Sequence, residues 1–365
     1  MSSEALTPIP WFTPKTANSE LENLKNVISS AYYNEGELVT ELEERLSKFF
    51  NVKNVIMTTS GTTALFLALK SLGVGPGDEV IVPNMTFIAT ANAVSLCGAK
   101  VVLAEVNENL MMDPVDVKKK INPLTAAIIP VHVSGRSANI AAIREVAGSL
   151  PVVEDAAEAF GSRNPISGMH LGTESDLGIF SLSPNKIITS GQGGVLITNN
   201  NRLAELARAL KDQGRSKRGT GGDDLHPTVG FNFKYTNLQA AIALAQLDEI
   251  NDRLNHLQHV YKSYTVAMQD VRSHSLIFSD IEKGEIPLWP ELVCENRERM
   301  QDHLNMHSIG YRNIWLPISE QQSYEVEEKY LVSRRMSDKI LWAPSSLTLS
   351  KAQIAYVSEK LGTNL

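Results

Sequence analysis

The chain is poor in cysteine, with only Cys97 and Cys294 in 365 residues. Two thiols cannot build a disulfide scaffold or a four-cysteine zinc site, and a reducing compartment is the default reading. Long apolar runs are missing too: no stretch of 18 apolar residues occurs, so no transmembrane helix is expected. The opening residues, MSSEALTPIPWFTPKT, lack a basic end followed by an apolar stretch, and no signal peptide is read there. These absences predict a cytoplasmic protein that makes no membrane contact. Positive charge is not in excess: 34 Lys and Arg stand against 41 Asp and Glu, a net of −7, which argues against nucleic acid as a partner. What remains is an ordinary globular composition, 43% apolar and 21% charged, long enough for one large or two medium domains.

Short β-rich runs alternate with helical patterns from about residue 35 onward. Strands are expected at 54–57, 79–82, 100–105, 126–133 and 150–154, with helices at 64–72, 87–96, 115–121 and 140–147. Repeated strand–helix order predicts an α/β fold with a mainly parallel sheet flanked by helices. Ligands then sit beyond the strand C-termini, in the loops after Met57, Val82, Val133 and Val153. Residues 176–198 read as two strands around a polar turn, followed by a helix at 202–212 and a glycine-rich loop at 214–222. One long helix, free of proline, is expected from Asn237 to about Val271 as a connection between domains. The division expected is a large N-terminal domain, 1–245, and a smaller C-terminal α+β domain, 246–365.

Three features carry chemistry. Thr59-Ser60-Gly61-Thr62-Thr63 lies between a strand and a helix, where hydroxyls and free N–H groups make an anion site; ordinary capping is the plainer explanation. There is no GxxxxGK[ST], so a nucleoside triphosphatase is not expected. Asp155 closes a buried strand at the crevice and needs a cationic partner there, unless it merely caps a helix. Lys186 stands in a small, polar turn, where a desolvated amine can be a nucleophile or base; taken singly, it also reads as a surface lysine. In order, a phosphate cradle, an acid and an amine are the parts that hold pyridoxal phosphate: one for the phosphate, one for the pyridine nitrogen, one for the aldehyde. Phe87 is placed to stack on the ring, or else is a core aromatic.

The motifs SGTTALFLAL (60–69), GVGPGDEVIVPNMTFIATANAV (73–94), VVEDAAEAFGS (152–162), FSLSPNKIITSGQGGV (180–195) and VGFNFKYTNLQAAIALAQLDEI (229–250), with the later WAPSSLTLSKAQIAYV, resemble those of the DegT/DnrJ/EryC1/StrS sugar aminotransferases. The resemblance runs from about Tyr33 to the end and implies the fold type I plan, with a seven-stranded sheet and a smaller C-terminal domain. It further implies that Ser60, Gly61, Thr62 and Ser181 meet the cofactor phosphate, that Phe87 stacks on the ring and that Asp155 pairs with its nitrogen. Glu158 falls where relatives approach the ring hydroxyl or the substrate. Lys186 matches the lysine that carries pyridoxal 5'-phosphate and moves protons as pyridoxamine 5'-phosphate forms. Asn232 matches a residue that reaches a neighbouring subunit's phosphate, which implies a homodimer with shared active sites. Lys234 stands where arginine is commoner.

The implied reaction moves an amino group from an amino acid, expected to be glutamate, to a keto sugar, expected to be nucleotide-linked, in amino-sugar and surface-polysaccharide synthesis. The basic cluster Arg208, Lys211, Arg215, Lys217 and Arg218 is a candidate for the diphosphate, and a solvated loop is the equal alternative. His132 ends a strand near the crevice and is a candidate for substrate contact or a structural histidine. His256 and His259 are three apart without a third ligand, so no metal is expected. Asn84-Met85-Thr86 is a glycosylation sequon with nothing that indicates secretion. Two rival functions stay open: a pyridoxamine-dependent dehydratase, which the retained Lys186 disfavours, and a non-catalytic cofactor- or sugar-binding regulator. A free keto-sugar acid is the alternative substrate.

Overall fold

The computed structural model describes residues 8–215, 225–324 and 326–365. In chain order the elements are α1 (Glu20–Ser30), α2 (Glu37–Phe50), β1 (Asn54–Thr58), α3 (Gly61–Ser71), β2 (Glu79–Pro83), α4 (Ala89–Leu96), β3 (Lys100–Ala104), α5 (Pro114–Lys120), β4 (Thr125–Ile128), α6 (Ile140–Ala147), β5 (Val153–Asp155), β6 (Leu177–Ser181), β7 (Gly194–Thr198) and α7 (Asn201–Lys211). There follow α8 (Asn237–Asp248), α9 (Ile250–Ala267), β8 (His274–Leu276), β9 (Glu291–Cys294), α10 (Arg297–Met306), β10 (Arg312–Asn313), α11 (Leu331–Lys339), β11 (Ile340–Trp342) and α12 (Lys351–Leu361).

Strands β1 to β7 make one twisted layer. Ladders join them as β1-β7-β6-β5 and β3-β2-β4, and parallel bridges Ile128–Val152 and Val131–Asp155 close the seam between β4 and β5. Seven strands therefore lie in the order 1-7-6-5-4-2-3, and only β7 runs against the rest. Its reversal has a simple cause. A parallel neighbour needs a crossover, usually helical, and residues 182–193 between β6 and β7 contain no helix.

Continuous apolar runs in these strands follow from burial on both faces. Val55 and Met57 of β1 pack into one core and Ile56 into another; Phe180 and Ile179 of β6 divide in the same way, as do Val195 and Leu196 of β7. The second layer is smaller: a four-stranded antiparallel sheet in the order β10-β11-β9-β8. The buried Arg136–Glu291 ion pair ties the loop after β4 to β9. Gly135, at φ +88°, is pressed so close to the Ile286 carbonyl that an added Cβ would lie 1.9 Å from its oxygen.

Two expectations need correction. The long helix from Asn237 is two helices, α8 and α9, broken at Glu249 (φ −100°, ψ 13°). No proline marks the break; tertiary contacts make it. Glu249 accepts the Asn18 amide at 2.9 Å, while Gln246 and Arg253 on either side donate to the Lys15 carbonyl. The expected strand at 126–133 ladders only over Thr125–Ile128, because Pro130 has no N–H to continue it.

Candidate active site

Helix α3 starts where β1 ends, and its first turn is shaped by its own side chains. Ser60 accepts the Thr63 amide at 3.1 Å, and the Thr63 hydroxyl accepts the Ser60 amide at 2.9 Å, closing a capping box. The capping reading therefore holds for Ser60. It does not displace the anion reading, because the cap uses the Thr63 N–H and leaves the Gly61 and Thr62 amides without intrahelical acceptors. Gly61 lets β6 come close: a Cβ there would sit 3.0 Å from Ser181 Cβ and 3.3 Å from its hydroxyl. The helix start and the Ser181 hydroxyl thus form one small donor-rich hollow.

Asp155 ends β5, and no helix follows it, so helix capping does not explain the residue. Its Oδ2 accepts the Thr90 hydroxyl at 2.8 Å and its Oδ1 the Ala157 amide at 3.1 Å. Burial raises its pKa, against these two donors and the charge of Lys186. It is buried, and among the described residues no cation lies within ion-pair distance of it.

Lys186 stands on the loop after β6 with its ammonium 3.4 Å from Glu158 Oε1 and 4.6 Å from the centre of the Trp289 ring. Glu158 is fixed from its other oxygen by the Ser134 amide at 2.9 Å, and Ser134 takes the left-handed φ of 51° to present it. Burial pushes Glu158 up as well, with the Lys186 charge pulling it back. A surface-lysine reading of Lys186 fails, since its side chain is 11% exposed and paired.

One cavity of about 340 Å³ collects Ser60, Gly61, Thr62, Phe87, Asp155, Glu158, Ser181 and Lys186. Phe87 keeps half its surface open at the cavity wall, unlike a core aromatic. Other expected residues lie elsewhere. His132 is fully buried, facing Glu154 Oε2 at 2.9 Å through Nε2 and accepting the Ala138 amide through Nδ1 at 3.1 Å; it is structural and does not line the cavity. Arg215 and Lys234 border a separate hollow near Asp212, and Lys234 is 3.1 Å from that carboxylate. Asn232 is exposed outside its own chain's cavity. Arg208 pairs with Glu43, and buried Lys211 with Glu35 and Glu43, so neither is a spare cation for a diphosphate. Lys217 and Arg218 lie outside the described residues. His256 is bound to the Ser346 carbonyl, and no metal-type cluster occurs among the described residues. Asn84 is wholly buried, its side chain accepting the Ser319 amide.

Sequence reasoning missed one wall. Trp289, Arg312, Trp315 and Trp342 reach the cavity from the small sheet and its flanks. A signal existed: each of the chain's four tryptophans is within two residues of a proline, a sign of indoles held on rigid turns. Thr90 was also missed.

This plan places the molecule among the pyridoxal-phosphate-dependent aminotransferases. The chain belongs to the DegT/DnrJ/EryC1/StrS aminotransferase family, whose model matches residues 14–362. It is 32% identical over 362 residues to GDP-perosamine synthase of Escherichia coli O157:H7, covering 97% of each chain. It is also 32% identical over 346 residues to UDP-2-acetamido-2-deoxy-3-oxo-D-glucuronate aminotransferase of Pseudomonas aeruginosa, covering 93% of this chain and 94% of that one. The crystal structure of DesV from S. venezuelae in complex with a ketimine intermediate superposes with a TM-score of 0.88 at 28% identity, over 94% of this chain and 93% of that one. The residues present fit the cofactor the family implies. Asp155 is a buried carboxylate with no ion-paired cation among the described residues, the α3 start offers free amides beside a hydroxyl, and Lys186 supplies an amine.

Proposed function

We propose that this sugar aminotransferase takes its amino group from an amino acid, glutamate in the first instance, and delivers it to a nucleotide-linked keto sugar. The observation that carries the reading is the meeting of Lys186, Glu158 and Asp155 with the α3 N-terminus in one cavity. The curated names of the relatives support the acceptor class: they carry GDP, dTDP and UDP, so a nucleotide is common while its base varies. The pyridoxal phosphate group, when bound, supplies an electron-accepting ring and an exchangeable amine.

The protein's share of the work follows from its geometry. The Gly61 and Thr62 amides and the Ser181 hydroxyl hold a phosphate at the positive end of α3. Asp155 keeps its charge toward a protonated ring nitrogen, with Thr90 and Ala157 orienting both oxygens. Phe87, half exposed at the cavity wall, would help hold the ring by stacking. Lys186 carries a proton at Nζ, and Glu158, 3.4 Å away, positions that amine. On this reading residues 1–245 hold the cofactor, and residues 246–365 close the cavity with Trp289, Arg312 and Trp342. Asn232 completes the phosphate site of a second subunit, which makes the working enzyme a homodimer. We place it in the cytoplasm; no helix among the described residues is long and apolar enough to cross a membrane.

The purified protein is expected to be yellow, and borohydride to abolish the colour by fixing cofactor to Lys186, mapped by mass. Lys186→Ala keeps cofactor binding and loses transamination, because binding uses the phosphate hollow and proton transfer uses the amine. An adduct on another lysine sinks the assignment. A panel of nucleotide-linked keto sugars with glutamate, read by mass, then identifies the acceptor. Dehydration without 2-oxoglutarate release supports the dehydratase instead.

A further inference from the structure

The Lys186 ammonium lies 3.4 Å from Glu158 Oε1 and 4.6 Å from the centre of the Trp289 ring, and one residue outside the cavity reaches both neighbours. Ser134 is wholly buried and does not line the cavity. Its amide donates to Glu158 Oε2 at 2.9 Å. Its carbonyl accepts the amide of Leu288, the residue before Trp289, at 3.0 Å. The two groups point these ways because Ser134 takes the left-handed region, at φ 51° and ψ 27°. A serine there is strained and stays only where its surroundings hold it. His132 grips the loop at both ends: its amide donates to the Asp155 carbonyl at 3.0 Å, and its Nδ1 accepts the Ala138 amide at 3.1 Å. Beyond Ser134 the loop is clasped to the small-sheet side. Gly135 abuts the Ile286 carbonyl, Arg136 pairs with Glu291, and the Ser137 amide donates to Glu285 at 2.8 Å. The Ser134 hydroxyl, by contrast, has no hydrogen-bond partner among the described residues. A buried, unsatisfied hydroxyl is a cost, so the side chain does not explain the strained turn. The two backbone contacts do.

We infer that Ser134 is a positioning residue, whose backbone sets both Glu158 and Trp289 against the Lys186 amine. One strained turn thereby ties the orientation of the amine to the docking of the small sheet. The inference deepens the proposed aminotransferase reading and rests on it for what Lys186 does. An amine that must carry a proton at a defined place needs its neighbours held to a fraction of an ångström, and a loop pinned at its base and clasped beyond its tip supplies that.

The direct test, on the holoenzyme, replaces the peptide bond between Val133 and Ser134 by an ester, installed as lactic acid at position 134 with Ser134→Ala as its parent. The ester deletes the N–H and keeps the shape. Its kcat is expected to fall about tenfold or more below that of the parent, as loss of a hydrogen bond to a charged group does, with glutamate KM and cofactor affinity little moved. Glu158 then loses a donor to its charged form, while Lys186, Asp155 and Glu291 act on it as before, so it protonates at higher pH and the acid limb of the kcat profile moves up. Ser134→Val, whose branched side chain resists the left-handed turn, loses activity, and Ser134→Gly, which takes that turn freely, recovers most of it. Hydrogen exchange over residues 131–138 gives a readout without turnover. Glu158→Ala removes the acceptor and speeds exchange of the Ser134 amide, whereas Ser350→Ala does not. An ester that lowers only the melting temperature, with the kcat and pH profile of its parent, overturns the inference, and so does Ser134 exchange that ignores Glu158→Ala. If exchange depends on Glu158 while Lys186→Ala still transaminates, the reading of Lys186 falls and the placement of its neighbours by Ser134 stands.

Discussion

At the scale of single residues, the site depends on buried carboxylates, whose charge burial disfavours and whose neighbouring donors and Lys186 favour. Asp155→Ala removes the charge facing the ring nitrogen, and kcat is expected to fall about 10- to 150-fold, the worth of a charged hydrogen bond. Asp155→Glu retains the charge and loses less; equal rates for both variants and wild type would reject the role. A different titration governs stability. His170 packs against Phe49 and Phe50, with ring centres 5.0 and 5.4 Å away. Burial first, then the charge of Arg163, pushes its pKa down to about 4. The unfolded chain protonates this histidine near pH 6.5, so between about 6.5 and 4 the unfolded state binds more protons. Stability is therefore full above 6.5 and falls as pH drops toward 4, by on the order of 3 kcal/mol for this group. His170→Phe should flatten that part of a melting-temperature profile; an unchanged slope would clear His170 of the effect. Lys186 and Asp155 stood out in the sequence only when read in order with the Ser60–Thr63 turn, since singly each also reads as a surface lysine or a helix cap. His132 was not resolved by the same logic, since its partner Glu154 lies 22 positions away and only the parallel pairing of β4 with β5 brings them together.

Among elements, α3 does two things at once, and the two can be separated. Capping boxes also start α8, through Thr236 and Gln239, and α12, through Ser350 and Gln353. Removing any of these cap hydroxyls should cost about 1 kcal/mol of stability. Only Ser60→Ala should also weaken cofactor affinity, because its helix start faces the cavity, whereas Ser350→Ala should leave affinity unchanged. Equal cofactor Kd values for the two variants would reduce the α3 start to a structural cap. Element order was readable from periodicity because the apolar runs match strands buried on both faces. The break at Glu249 was not, for nothing local demands it: α8 packs on α1 and α2 while α9 packs on α12, and the chain must turn between the two. Nor could the sequence place Arg208 and Lys211 beside Glu43 and Glu35, since those pairs bridge more than 150 positions.

For the whole molecule, the composite-site reading has a direct test. Lys186→Ala and Asn232→Ala subunits are each expected to be inactive alone, and mixing them should restore activity, since one site in the heterodimer then receives both intact parts. No recovery after subunit exchange would rule against sharing. The tryptophan cluster belongs to this scale as well: its members are Trp11, Trp289, Trp315 and Trp342, and no two of them lie closer than 26 positions in sequence. The first described residues are stitched into the last layer of the molecule. Ile9 donates to the Ser308 carbonyl at 2.9 Å and accepts the Gly310 amide at 2.7 Å, and the Trp11 carbonyl accepts the Ser345 amide. Time on the ribosome gives this arrangement a consequence. The segment at Ile9 emerges about 300 residues before its partners, which at ~5–20 residues per second is a wait of ~15–60 s. Through that interval Ile9 and Trp11 have no sheet or indole to cover them, and a chaperone that holds short apolar segments would find them there. The large sheet can form meanwhile, but the tryptophan-lined wall of the cavity closes only when these distant segments meet.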